Sequence, residues 1–401
     1  MNSAPRIGVF GLLGSGNLGN DGSLEAVLGH LRSAHPDAVV DALCGGPERV
    51  AARYGIPATR LHWNRAEYRT ASRAGAVAAK GLGKAVDAFR TAAWVRRHDV
   101  VIVPGMGVLE ATLPLRPWGF PYALFLLCAS GRLFGTKVAL AGVGAGPIGN
   151  RLTRALIRRS ARLAAYRSYR DARSRDALRE MGVDTTGDAV HPDLAFALPA
   201  PPAGPPTGTV CVGVMDFHGS DDDRARAEQI HRRYLDGVTR FVRALVEDGR
   251  PVRLLTGDAC DGHVVTAILD AVDSPLVTAA ETASLADLMK ETAAADSVVA
   301  TRYHNLICAL KTGTPTLALS YADKSDALLD LMGLGAYVHP AREVDADRLL
   351  VQFRELERHS AELRATLAER NQVVSRQLAA QLAALSAALF PATHSLPAPA
   401  L

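Results

Sequence analysis

Arg302 and His304 stand two residues apart in Val299-Ala-Thr-Arg-Tyr-His304, where an apolar run gives way to Asn305-Leu-Ile-Cys-Ala-Leu310. Arginine is permanently charged and forks onto carboxylate or phosphate, whereas an imidazole titrates near neutrality and can hand over a proton. An anion clamp beside an acid/base group at a helix start suits a substrate carrying both phosphate and carboxylate. The alternative is that Arg302 merely opens the helix and His304 caps it or fills core. Other groups fit the same ligand. Ser168-Tyr-Arg-Asp-Ala-Arg-Ser174 puts Arg170 at a strand-to-helix junction, with an ion pair to Asp171 as its plainer role. Ser320-Tyr-Ala-Asp-Lys324 follows an apolar run, so Tyr321 and Lys324 would line the site, unless Lys324 is a surface lysine. Asp216-Phe-His218 also ends a strand and would either touch acceptor hydroxyls or form a polar turn.

Three glycine clusters lie at the carboxyl ends of predicted strands: Gly14-Ser-Gly-Asn-Leu-Gly-Asn-Asp-Gly22, Gly105-Met-Gly107 and Gly142-Val-Gly-Ala-Gly-Pro147. In an open parallel sheet, ligands bind beyond the strand carboxyl ends, and glycine lets backbone approach them. Gly16, Asn17, Gly19, Asp21, Gly105, Gly107 and Gly144 are therefore candidate substrate contacts. The first cluster also fits Gly-x-Gly-x-x-Gly, with Asp41 following at about the spacing of a dinucleotide site. Asn17, Asn20 and Asp21 crowd that turn with polar side chains, which favours a polar substrate loop over a nicotinamide dinucleotide; simple turn glycines are the remaining reading.

The elements that must position these groups read as two α/β halves. In the first, short apolar strands at Arg6–Gly11, Val39–Leu43, Asp99–Pro104 and Lys137–Val143 alternate with helical stretches, one over 65–97 broken near Gly81 and Gly83. Pro199-Ala-Pro-Pro-Ala-Gly-Pro-Pro-Thr-Gly208 cannot continue a helix or central strand and reads as a linker. Strands then resume at Val210–Met215, Pro251–Thr256, Asp296–Ala300 and Thr316–Ser320, and a long helix is predicted over 345–389. Buried strands alternating with helices imply parallel sheets covered on both faces. The expected architecture is α/β, with two Rossmann-like parallel-sheet domains facing a cleft (GT-B-like). It comprises an N-terminal, acceptor-side domain over 1–198, the linker 199–208, a donor-side domain over 209–390, and a flexible tail over 391–401.

The 401 residues include 48% hydrophobic and 21% charged side chains, an ordinary globular composition. A net charge of +4 is too small and too dispersed to argue for nucleic acid. Basic runs at Arg65–Arg97 and Arg151–Arg175 read as solvated helix faces, or as a surface for peripheral contact with a membrane or lipid-linked ligand. Five scattered cysteines without a Cys-x-x-Cys motif indicate neither zinc nor disulfides. The chain enters a strand pattern almost at once, and no apolar run approaches the ~20 residues of a bilayer span, so a cytoplasmic enzyme is expected. No metal and no cofactor are expected. A homo-oligomer is compatible with the sequence.

In their order, Gly16-Asn-Leu-Gly-Asn-Asp21, Gly105-Met-Gly107, Gly144-Ala-Gly-Pro147, Tyr169-Arg-Asp-Ala-Arg-Ser174, Pro192-Asp193, Thr301-Arg-Tyr-His304 and Ser320-Tyr-Ala-Asp-Lys324 resemble the polysaccharide pyruvyl transferase family. The resemblance implies a two-domain transferase that moves pyruvate from phosphoenolpyruvate, its co-substrate, onto hydroxyls of a sugar or lipid-linked sugar, forming a ketal in a cell-surface polysaccharide or glycoconjugate precursor. Arg170, Arg302 and His304 match the family's phosphoenolpyruvate-binding and catalytic positions. The chain departs from the family pattern at Asn20, often Asp, at Met106, where three glycines are usual, and at Tyr303, often Leu; the Met106 change bears on the acceptor pocket. The rival readings are a GT-B glycosyltransferase using a nucleotide sugar and a non-catalytic binding protein for sugars or lipid carriers.

Overall fold

The structure is a computed structural model that describes residues 4–63, 73–110, 117–202, 204–205, 207–219 and 221–390, without the side chains of 73–80 and 221–222. The predicted tail over 391–401, residues 65–72 of the first basic run, and positions 203 and 206 of the predicted linker lie outside the described residues. The chain divides into two units. The first comprises Met1–Ser15, Ser23–Leu194 and Gln377–Leu401; the second comprises Gly16–Gly22 and Ala195–Arg376.

The first unit is built on seven parallel strands: β1 (Arg6–Gly11), β2 (Val39–Cys44), β3 (Ala58–Arg60), β4 (Val100–Pro104), β5 (Lys137–Val143), β6 (Tyr166–Tyr169) and β7 (Ala189–Val190). Their spatial order is β3-β2-β1-β4-β5-β6-β7. The central strands are continuous apolar runs because helices cover both faces; every residue of Val100–Pro104 is buried. The sheet reverses its winding between β1 and β4, and in doubly wound sheets that switch point opens a crevice at the strand carboxyl ends.

The second unit repeats the plan with six parallel strands: β8 (Val210–Gly213), β9 (Val252–Leu255), β10 (Val277–Ala279), β11 (Ser297–Ala300), β12 (Thr316–Ser320) and β13 (Val338–Pro340). They lie in the order β10-β9-β8-β11-β12-β13, so this sheet switches between β8 and β11. The loop after β8 carries Asp216 and His218; Arg302 follows β11, and His304 lies in the first turn of the helix that comes next.

Three departures from the sequence reading concern helices and boundaries. The helix Arg73–Val95 runs unbroken through Gly81 and Gly83. The predicted helix over 345–389 is two, Ala346–Arg358 and Ser360–Leu389, parted at His359 (φ −98°, ψ 11°) with no glycine or proline to mark it. The unit boundary falls at Leu194, before the proline-rich stretch, and the chain rejoins the first unit at Gln377, inside the region expected to belong wholly to the second half. Polar bonds within the first unit hold that last stretch. Gln381 Nε2 donates to Ser168 Oγ at 3.2 Å, Lys137 Nζ donates to the Leu389 carbonyl at 2.9 Å, and His30 and His35 both reach Ser386 Oγ, at 2.8 and 2.9 Å. No helix among the described residues is long and apolar enough to cross a membrane. Arg151, Arg154 and Arg159 of the second basic run are exposed on the helix Arg151–Leu163, whose Leu156, Ile157 and Ala161 are buried.

Candidate functional site

Arg302 ends the extended segment after β11 and stands at the N-cap of the helix Tyr303–Lys311. Its guanidinium lies flat against one carboxylate. Nε donates to Asp261 Oδ2 at 2.9 Å and Nη2 to Oδ1 at 2.5 Å, a two-pronged pair that fixes the plane of the fork. Burial opposes the charge of Arg302, but the bonds and charge of Asp261 outweigh it and hold the guanidinium above its ordinary range. Asp261 is fully buried and is itself gripped by backbone: the N–H groups of Asp216, Gly257 and Asp258 donate to it at 3.0, 3.3 and 3.1 Å. Arg302 therefore sits on a rigid mount that joins the loops after β8, β9 and β11.

His304 occupies the first turn of the same helix. A Cβ on Gly19 would fall 1.9 Å from its Cε1 and 2.1 Å from its Nδ1, so only glycine at 19 leaves room for the imidazole. The ring also meets Tyr303 edge-on, with centroids 5.5 Å apart. Lys324 Nζ lies 5.7 Å from the centre of that same Tyr303 ring and 5.6 Å from that of Tyr321, a cation held between two aromatic rings. Tyr321 in turn packs on the buried Phe217. Within the second unit the structure thus brings Gly19, Arg302, His304, Tyr321 and Lys324 into one neighbourhood. Asn17 joins them through Asp258, to which its Nδ2 donates at 3.3 Å. Gly16 takes a left-handed φ of 102° in the turn before, and Asp21 lies in the first turn of the helix Leu18–Ala34.

Two buried groups beneath this neighbourhood escape sequence inspection. Tyr234 Oη accepts from the Met215 N–H at 3.1 Å and bonds Thr301 Oγ1 at 2.7 Å, tying the two switch-point loops together; burial pushes its phenol up to about 12. Asn305 is fully buried between Gly213 and Gly257, and neither its Oδ1 nor its Nδ2 has a hydrogen-bond partner among the described residues. Such a buried amide costs about 1–3 kcal/mol unless something satisfies it, which points toward a ligand or water at the β8–β11 crevice. Cys260 lies 3.3 Å from Arg302 Nη2, but burial and Asp261 push its thiol up to about 11, so it is no thiolate nucleophile.

Asp216 and His218 lie in the loop after β8, where the Asp216 carboxylate is engaged by imidazoles: its Oδ1 lies 2.8 Å from His218 Nε2, 3.4 Å from His231 Nδ1 and 3.2 Å from His263 Nε2. His231 and His263 come from separate helices and carry no local signal in the sequence.

In the first unit, Arg170 follows β6 as predicted but is surrounded by acid. It donates from Nη2 to Glu110 and from Nη1 to Asp193 Oδ2 at 3.5 Å, with Asp171 Oδ2 3.8 Å from Nε. The Asp171 carboxylate chiefly caps the helix Ala172–Glu180 by accepting the Ser174 N–H at 2.7 Å. Gly107 and Gly144 close over the Glu110–Arg170 pair: a Cβ at Gly144 would meet Glu110 Oε1 at 2.3 Å and Arg170 Nη2 at 2.6 Å. The Arg170 side chain, after β6, thus ties the loop after β4 to the loop after β7. Met106 adopts φ 65°, a conformation that costs a non-glycine residue roughly 1–2 kcal/mol, which explains why a glycine suits this position in the family the motif resembles. Gly105 takes φ 53° in the same loop, where a Cβ would meet Ser23 Oγ at 2.3 Å. Asp41, the acidic residue at the spacing of a dinucleotide site, accepts the Trp94 indole N–H at 2.7 Å and lies 3.0 Å from His98 Nε2.

The family model for polysaccharide pyruvyl transferase matches residues 17–323. Among curated proteins no sequence matches the chain. Solved structures share the fold. A UDP-N-acetylglucosamine 2-epimerase aligns at TM-score 0.62 and 12% identity, over 99% of this chain and 100% of that one. The Neisseria meningitidis UDP-GlcNAc 2-epimerase bound to UDP-GlcNAc aligns at 0.59 and 10%, over 95% and 99%. Acinetobacter baumannii MurG aligns at 0.54 and 13%, over 96% and 99%. At such identities the likeness is one of fold, two parallel-sheet α/β domains of the GT-B class.

Proposed function

The chain belongs to the polysaccharide pyruvyl transferase family, and from that premise we propose that it moves the pyruvyl group of phosphoenolpyruvate onto hydroxyls of a sugar acceptor, forming a ketal in a polysaccharide or glycoconjugate precursor. The observation that carries the reading is the Arg302–His304 pair: a guanidinium fixed by buried Asp261 and an imidazole two residues on, in the first turn of the helix that Arg302 opens, both at the β8–β11 switch point. Arg302, with Lys324 nearby, supplies permanent positive charge for the phosphate and carboxylate of the donor.

His304 then acts as general acid. Its proton passes to C3 of the enol, which becomes a methyl group, and C2 becomes electrophilic. One sugar hydroxyl adds at C2 and returns its proton to the imidazole. A second hydroxyl attacks the same carbon, the C2–O bond to phosphate breaks, and the proton of that hydroxyl leaves with the phosphate. The acceptor sugar and its hydroxyls follow from contacts outside this pair.

The test is release of inorganic phosphate from phosphoenolpyruvate in the presence of candidate acceptors. His304→Ala should lower turnover by about 10²–10⁴ with unchanged far-UV circular dichroism. Near-normal pyruvylation by that variant, or nucleotide release from a UDP-sugar of the kind named for the fold neighbours with no phosphate from phosphoenolpyruvate, overturns the reading.

A further inference from the structure

Asp216, His231 and His263 place one ligand atom each within 4.8 Å of one another, on the loop after β8 and on the helices Ala227–Glu247 and Gly262–Val272. We infer that these three residues form a binding site for a divalent transition-metal ion of the zinc class, a site separate from the Arg302–His304 pair.

The distances argue for an ion rather than for hydrogen bonds alone. Tetrahedral zinc with bonds of about 2.0–2.1 Å to imidazole nitrogen and carboxylate oxygen holds its ligand atoms roughly 3.3–3.5 Å apart. Asp216 Oδ1 lies 3.4 Å from His231 Nδ1 and 3.2 Å from His263 Nε2, close to that edge length. His231 Nδ1 is buried and, although near the carboxylate, is misdirected for a hydrogen bond and has no partner among the described residues. A buried ring nitrogen without a hydrogen-bond partner, within 4.8 Å of a carboxylate oxygen and a second imidazole nitrogen, is an environment a cation satisfies.

The surrounding contacts set the ligand atoms in the required state. His263 Nδ1 lies 2.8 Å from the carbonyl of Cys260; donating its proton there leaves Nε2 as a lone pair facing Asp216. His218 stacks on His231 with ring centroids 4.4 Å apart and planes 8° from parallel, and its Nε2 bonds Asp216 Oδ1 at 2.8 Å. It steadies the carboxylate, while water completes the coordination. Two imidazoles and one carboxylate suit zinc and its borderline neighbours better than magnesium or calcium, which prefer all-oxygen shells. Sequence inspection expects no metal because the ligands arise from three elements far apart in the chain, without the close spacing of a zinc motif.

The ion would cross-link a loop and two helices. The Asp216 N–H also donates to Asp261, so the site braces the carboxylate that orients Arg302. That makes the cation a positioning element and routes no chemical step through it.

The experiment uses the untagged full-length chain, stripped with chelator and titrated with zinc sulfate, with cobalt chloride as a spectroscopic probe. One zinc per chain is expected, with visible cobalt bands of a tetrahedral nitrogen–oxygen site and a thermal transition that rises with zinc and reverts with chelator. His263→Ala should weaken zinc binding by at least about tenfold, and His231→Ala likewise. The His263 side chain is 57% exposed, so its replacement carries the test should His231→Ala fail to fold. Absence of binding at micromolar zinc, or binding unaltered by His263→Ala, overturns the site. Metal content is read without any turnover, so its outcome is independent of whether phosphoenolpyruvate is the donor.

Discussion

Arg170 and Arg302 follow the same local pattern: each leaves the carboxyl end of a parallel strand, and each precedes a helix. Their surroundings differ. Arg302 meets one carboxylate, that of Asp261, and keeps 20% of its side chain exposed. Arg170 is 4% exposed and has Glu110, Asp193 and Asp171 around it, with two glycine loops closed over the pair. The first arrangement aligns a guanidinium on one carboxylate without enclosing it. The second encloses it, and the charge is spent holding three loops in place. A strand-end arginine therefore predicts position in an α/β sheet, but the number of carboxylates within reach decides how far the guanidinium is enclosed.

The most forceful way to break this comparison is Arg170→Met. Removal of the guanidinium takes a counter-charge away from buried Glu110 and Asp193, and breaking such a pair from one side costs about 3–5 kcal/mol. The urea midpoint of the transition involving the first unit should fall accordingly. An unfolding free energy within about 0.5 kcal/mol of the parent would show that Arg170 braces nothing.

Arg302→Lys sharpens the other half. Lysine keeps the charge beside Asp261 but loses the planar fork, so stability should stay close to the parent while donor recognition suffers. A decrease in kcat/KM for phosphoenolpyruvate of roughly 10–100-fold corresponds to about 1.4–2.7 kcal/mol of lost transition-state binding. Equal kcat/KM for the two proteins would mean that charge alone, not the Asp261-set orientation, is what the site uses.

The parts of this architecture written in local pattern were legible. Val100–Pro104, Lys137–Val143 and Thr316–Ser320 are long apolar runs flanked by glycine or polar turns, and each is a strand within a residue of its predicted bounds. The strands of two or three residues, β3, β7, β10 and β13, were not, because so short a segment carries no periodicity. Arg302 and His304 could be singled out since their residue types are unusual where a strand enters a helix. Asp261 could not: in Thr256-Gly-Asp-Ala-Cys-Asp261 it resembles any polar turn, and its role arises only because the crossover places β9 beside β8 and β8 beside β11. The imidazoles of His231 and His263 meet for the same reason. The return of the chain to the first unit at Gln377 was equally hidden, since an amphipathic helix shows that one face is buried but not what buries it.

The same comparison locates the acid sensitivity of the fold, and here the effect is smaller. Neither arginine titrates in the working range, so protons act through imidazoles. In the first unit His30, His35 and His191 all have pKa values held below the ordinary range by burial, with the neighbouring His35 adding to the effect on His30. All three contact the segment that begins at Gln377: His30 and His35 bond Ser386, His35 packs on Phe390 with ring centroids 4.1 Å apart, and His191 meets the backbone of Gln377. A depressed histidine pKa means that the detached segment binds protons more readily than the docked one. Docking is therefore favoured above about pH 6.5 and weakens as pH falls through the lower folded values. Amide exchange of residues 377–389, corrected for intrinsic rate, should accelerate severalfold between pH 7.5 and 5.5, while the helix Tyr303–Lys311, none of whose contacts named above involves these histidines, keeps its protection. The double substitution His30→Gln/His35→Gln should flatten the response of 377–389. Equal acid response in both segments would show that the imidazoles do not hold the terminal helix and that the two units share one titrating core.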